Sequence, residues 1–63
     1  MTKVIMHGCN GKMGQTISRL IETDEAIEIV AGVDVFDGIS NTYPVFKSIT
    51  ECNVDADVVI DFS

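Results

Sequence analysis

The stretch Val4-Ile5-Met6-His7-Gly8-Cys9-Asn10-Gly11-Lys12-Met13-Gly14 constrains the fold more than any other part of the chain. An apolar run ends at Gly8, glycines recur at every third position, and a helical pattern begins. A buried strand, a tight turn and a helix N-terminus meet that description. Lys3 to His7 reads as the strand. From Gly11 the period changes: Met13, Ile17, Leu20 and Ile21 form one apolar stripe, with Gln15, Ser18, Arg19 and Glu22 on the other face. The helix is expected to end near Thr23, because Asp24 and Glu25 oppose the negative end of the helix dipole. Glu28 to Val33 is a second strand, nearly continuous in apolarity, as strands covered on both faces are. Strand, helix and strand within about 30 residues make a βαβ unit with parallel strands and a right-handed crossover.

After this unit the pattern weakens. Phe36 to Thr42 is a loop of turn formers, Gly38, Ser40 and Asn41 among them. Tyr43 to Phe46 reads as a short strand, and Pro44 places it at a sheet edge because proline donates no ladder hydrogen bond. Ser48-Ile49-Thr50-Glu51 fits a capping box, which predicts a helix of one or two turns ending near Asn53. Asp57 to Phe62 is the last strand and should lie beside the first. The fold class is α/β: a partial Rossmann-type parallel sheet, β-α-β followed by a short edge strand, a short helix and a further parallel strand.

Composition limits the partners. The chain has 63 residues, of which 46% are hydrophobic, and a mean hydropathy of +0.28. A chain this short buries only about 60% of its unfolded surface. So apolar a short chain reads as a piece of a larger sheet, or as an oligomer, and its ending on a strand favours the piece. Residues 1–63 are expected to be the N-terminal portion of a dinucleotide-binding domain, with any substrate domain outside them. The net charge of −6 disfavours nucleic acid and anionic membrane, which need clustered Lys and Arg. Cys9 and Cys52 lack metal-ligand spacing, so no metal site is expected, and both thiols are expected to be reduced. The N-terminus has no signal-peptide pattern, and a cytoplasmic location is expected.

The glycine turn suits a dinucleotide. A pyrophosphate must approach backbone N–H groups closely, and a helix N-terminus supplies unpaired donors and partial positive charge. Gly8 permits the sharp exit from the strand, Gly11 leaves room for the phosphates, and Gly14 lets the helix pack on the strand. Asn10 stands where the commonest fingerprint has its second glycine, and Asn tolerates left-handed backbone angles. A plain strand-to-helix turn would also use these glycines. Asp34 adds specificity, because it ends the second strand, where a carboxylate accepts hydrogen bonds from the adenosine ribose. It repels a 2′-phosphate, and Lys12 in the first helical turn is the only nearby cation. NADH is therefore expected to bind at least as well as NADPH. Phe62 either packs near the nicotinamide or is a core aromatic. His7 is expected to be a packed neutral side chain, Cys9 a space-filler and Met13 a core anchor under the turn.

With Gly8-Cys9-Asn10-Gly11-Lys12-Met13-Gly14 joined to Asp34 and to Val58-Val59-Ile60-Asp61-Phe62-Ser63, the chain resembles, over its whole length, the N-terminal part of the dihydrodipicolinate (4-hydroxy-tetrahydrodipicolinate) reductase family. That family's loop is close to G-x-x-G-R/K-M-G, and its later strand ends in Asp-Phe-Thr/Ser. The resemblance implies a cytoplasmic, homotetrameric oxidoreductase of the diaminopimelate route to lysine. It would transfer hydride from NADH or NADPH to a cyclic unsaturated dicarboxylate. By position, the resemblance implies that Gly8, Cys9, Asn10, Gly11, Lys12 and Met13 line the pyrophosphate and adenosine side, with Lys12 near the adenosine ribose or its phosphate. Asp34 would take the ribose, and Phe62 would lie toward the nicotinamide. The family's catalytic histidine and lysine and its substrate-binding segment fall after Ser63. No catalytic residue is therefore assigned, and residues 1–63 alone are expected to be inactive. Three alternatives stay open: the N-terminal half of another NAD-dependent dehydrogenase, a non-catalytic nucleotide-sensing module, and a small structural domain without a ligand.

Overall fold

A computed structural model describes residues 1–36 and 38–62. Asp37 of the expected loop and Ser63 of the Asp-Phe-Ser ending lie outside the described residues. Strand β1 (Thr2–His7) leads through the glycine turn into helix α1 (Lys12–Glu22), and β2 follows at Ile27–Val33. The short β3 (Val45–Phe46) and then β4 (Val58–Asp61) complete the sheet. Its order is β3-β2-β1-β4, and each neighbouring pair is parallel. The strand carrying Pro44 at its entrance is an edge strand, and the last strand lies beside the first, both as the sequence predicts. No helix among the described residues is long and apolar enough to cross a membrane.

Alternation along β1 divides the core between the two faces of the sheet. Val4 and Met6 join Cys9, Ile21 and Tyr43 on one side, with Ile17 of α1 packed against them. Ile5 joins Ala31 and Val33 on the other, covered by Phe46, Cys52, Val54 and Ala56. Both cysteines are free, and Cys9 is fully buried as a small core residue.

Two packing expectations are corrected. Met13 and Leu20 are each 63% exposed. The buried positions of α1 are Gly14, Ser18 and Ile21. The helix comes closest to the turn at Gly14, where there is no side chain, and that contact sets its rotation. Met13, one residue earlier, is turned about a quarter of the way round and faces outward. The helix expected after Ser48 does not form. Glu51 N–H donates to Ser48 O at 3.1 Å and Cys52 N–H to Ile49 O at 3.3 Å, making a turn. The Ser48 hydroxyl pairs with the Thr50 hydroxyl instead of capping. Cys52, Val54 and Ala56 are all packed on one face of the sheet. Their alternate spacing needs extended backbone, so packing overrides the local capping signal.

Candidate functional site

The site is built on the turn between β1 and α1. Gly8 has φ 86°, and no other described residue has a positive φ. Its N–H donates to Val33 O at 2.7 Å, which ties the turn to the end of β2. A Cβ on Gly14 would lie 2.3 Å from Gly8 O and 2.8 Å from Cys9 Cα, so the turn and helix meet only because that position is glycine. Gly11 differs. A Cβ there would meet only Gly8 O, at 3.5 Å, an ordinary contact. The fold does not itself require glycine at position 11.

Helix α1 opens toward solvent without help from its own side chains. Gly11 is the N-cap, no side chain caps it, and no acidic residue lies in the first turn. Gln15 N–H makes the bond to Gly11 O, which leaves the N–H groups of Lys12, Met13 and Gly14 outside the helical ladder. No acidic side chain within the first helical turn competes for these donors. The arrangement favours an anion from outside.

Asn10 does not adopt the left-handed conformation expected of it. Its role is carried by hydrogen bonds. Buried at 5% exposure, its side chain donates to Phe36 O and accepts from Asn41 Nδ2 at 3.0 Å. Its backbone N–H donates to Asp34 Oδ2 at 3.0 Å, while Phe36 N–H donates to Asp34 Oδ1 at 2.9 Å. Asp34 thus clamps the glycine turn to the loop after β2. A carboxylate has about four lone-pair directions, so acceptor capacity remains for a ligand hydroxyl.

A cleft of about 280 Å³ runs along the carboxyl ends of the strands, lined by His7, Gly8, Gly11, Val33, Asp34, Val35, Lys47 and Phe62. It brings together Gly8, Gly11, Asp34 and Phe62 among the residues selected from sequence. Cys9, Asn10, Lys12 and Met13 do not line it. Cys9 and Asn10 are buried behind the turn, and Lys12 and Met13 are exposed on the first helical turn. Phe62 lines the cleft and also packs against the core cluster beneath the helix, as a core aromatic does. His7 is only half-buried and also lines the cleft, with Nδ1 3.5 Å from the Asp61 carboxylate. The expectation of a fully packed histidine fails because the strand's last side chain emerges at the open end of the sheet.

Lys47 was missed by sequence reasoning, and Lys12 is not the only nearby cation. Parallel pairing of β2 with β3 matches Val33 with Phe46, and Asp34 N–H donates to Phe46 O at 2.9 Å. The residue after each strand therefore falls at the same edge, which places Lys47 by Asp34. Its position immediately after a short predicted strand was the available signal.

On the far side of the turn, a hollow of about 180 Å³ lies between α1 and the loop before β3. There Ser18 and Tyr43 hydroxyls pair at 3.0 Å, and Asn41 Nδ2 reaches the Tyr43 oxygen at 3.3 Å. Burial raises the pKa of both the Tyr43 phenol and the Cys9 thiol above their ordinary values.

Residues 2–63 match the family described as dihydrodipicolinate reductase, N-terminus. The chain belongs to the dihydrodipicolinate reductase family. Its curated relatives include 4-hydroxy-tetrahydrodipicolinate reductases from Clostridium novyi (strain NT), 57% identical over 63 residues, and Clostridium perfringens (strain 13 / Type A), 48% identical over 64. A third, from Caldanaerobacter subterraneus subsp. tengcongensis, is 45% identical over 67 residues. Each alignment covers 100% of this chain and 25% of the relative, so the chain spans about a quarter of their length. No solved structure gives a significant match. Membership in the dihydrodipicolinate reductase family agrees with a parallel sheet whose glycine turn and Asp34 meet at one cleft.

Proposed function

We propose that this chain forms the first part of the cofactor site of a 4-hydroxy-tetrahydrodipicolinate reductase, holding NADH or NADPH. The observation that carries the reading is the single cleft shared by Gly8, Gly11, Asp34 and Phe62 at the carboxyl ends of the strands. The pyrophosphate fits the open N-terminus of α1, where Gly11 admits it without a Cβ in the way. Asp34 accepts from a ribose hydroxyl while keeping its two backbone bonds. Phe62, after β4 and on the other side of β1 from Asp34, suits the nicotinamide end. The cofactor supplies hydride. These residues bind and orient it, and neither acid–base chemistry nor substrate binding is assigned to them.

In the complete protein, hydride passes to a cyclic unsaturated dicarboxylate on the diaminopimelate route to lysine. The protein works in the cytoplasm as a homotetramer, and residues 1–63 alone are inactive. Calorimetric titration of NADH into the complete protein tests the site. Micromolar or tighter binding, weakened at least tenfold by Gly11→Val, is expected. Undiminished binding by that variant refutes the placement of the pyrophosphate at the turn.

A further inference from the structure

We propose that Lys47 is a cofactor-binding residue whose ammonium takes the phosphate monoester on the adenosine ribose, so that the cleft accepts the 2′-phosphorylated dinucleotide despite Asp34. This rests on the dinucleotide reading of the cleft and deepens it.

The argument begins with sheet order. The cleft follows the ends of β4, β1, β2 and β3, since Phe62, His7 and Gly8, Asp34 and Val35, and Lys47 come from the ends of those strands in turn. A dinucleotide laid along this edge has its pyrophosphate at the turn after β1 and its adenosine ribose at Asp34 after β2. The next strand outward is β3, roughly 4.8 Å away. The group that projects beyond the ribose on that side meets Lys47.

Charge supports the same assignment. Among the described residues lining the cleft, Lys47 is the one Lys or Arg. Asp34 lies across from it, yet both Asp34 oxygens already accept backbone N–H bonds, from Asn10 and Phe36. Those donors spread the carboxylate charge and hold it in place. Lys47 makes no ion pair with it among the described residues. The ammonium therefore remains available to an outside anion. Lys12 does not line the cleft, so the compensation that the sequence assigned to Lys12 falls to Lys47. One fixed carboxylate and one mobile ammonium suit both a free 2′-hydroxyl and a 2′-phosphate. The first donates to Asp34's remaining lone pairs, and the second is balanced by Lys47.

The test uses the complete protein and direct binding, with NADH and NADPH titrated separately by calorimetry. Lys47→Ala is expected to weaken NADPH about tenfold while changing NADH by less than about twofold, and Lys47→Arg is expected to keep NADPH near the unaltered value. Because Lys47 is exposed, the substitution leaves the fold intact, which an unchanged melting temperature verifies. Equal weakening of both cofactors, or no weakening of NADPH, overturns the assignment. Failure of the unaltered protein to bind either cofactor refutes the dinucleotide reading itself, a distinct result.

Discussion

Gly14→Ala is the sharpest test of how the turn is assembled. In an ordinary helix, Ala is about 1 kcal/mol better than Gly, so the substitution would stabilise. Here the added methyl would lie 2.3 Å from Gly8 O and 2.8 Å from the Cys9 backbone. Carbon–oxygen contacts need more than 3 Å, and neither neighbour is the free end of a side chain. The helix must shift from the turn, which strains the packing of Ile17, Ser18 and Ile21 over β1 and β2. Overpacking of this kind costs typically 1–3 kcal/mol. Taking the upper end against backbone and subtracting the helix gain leaves a net loss of about 2 kcal/mol. Relatives are about four times the length of this chain. For a protein of that size, such a loss lowers the melting temperature by about 4–8 °C. Differential scanning calorimetry of the complete protein, with Gly11→Ala as the control, is the assay. The control meets no close contact, so its melting temperature should fall by no more than about 1–2 °C, the effect of a poorer N-cap. An unchanged or raised melting temperature for Gly14→Ala would refute the close-approach argument.

Other outcomes follow from the same geometry. Asp34→Asn keeps the shape but puts an amide NH2 against one of two backbone donors, Asn10 N–H or Phe36 N–H. A loss of about 1–2 kcal/mol in chemical denaturation and weaker NADH binding are expected. Tyr43→Phe removes the oxygen that meets Ser18 and Asn41, which should destabilise by about 1 kcal/mol, measured in urea. On the alkaline side, Cys9 and Tyr43 contribute to the pH response, because burial raises both above their ordinary values of 9.0 and 10.0 in the folded state. The unfolded chain loses those protons first. Their contribution to stability is therefore fully present below about pH 9 and is lost as pH rises above it, and Tyr43→Phe should flatten the part of the fall near pH 10. Met13→Gln should change stability by less than about 0.5 kcal/mol, because Met13 lies outside the core; a loss above 2 kcal/mol would restore it as a buried anchor.

The strand, glycine turn, helix and second strand were legible in the amino-acid order because their signals are local. A run of apolar residues, a change of period at Gly11 and a carboxylate at a strand end each act within a few residues. Pro44 at an edge strand was equally local, since a missing N–H limits where a strand can pair. Long-range packing decided the rest. Contact between Gly14 and Gly8 sets the rotation of α1, and that turned Met13 and Leu20 outward although both fit the apolar stripe. Pairing with the sheet drew Cys52, Val54 and Ala56 into an extended path and left the Ser48 signal as a turn. Asn10 owes its place to partners 24–31 residues away in sequence, Asp34, Phe36 and Asn41. Lys47 reaches the cleft through the register of β2 with β3; its place just after a short strand marks a strand end, but not which strand end lies beside it. The sequence by itself determined a strand, a glycine turn and a helix, with an acid at the next strand end. The tertiary structure decided which side chains share its cleft, because strand order and helix rotation depend on contacts between distant residues.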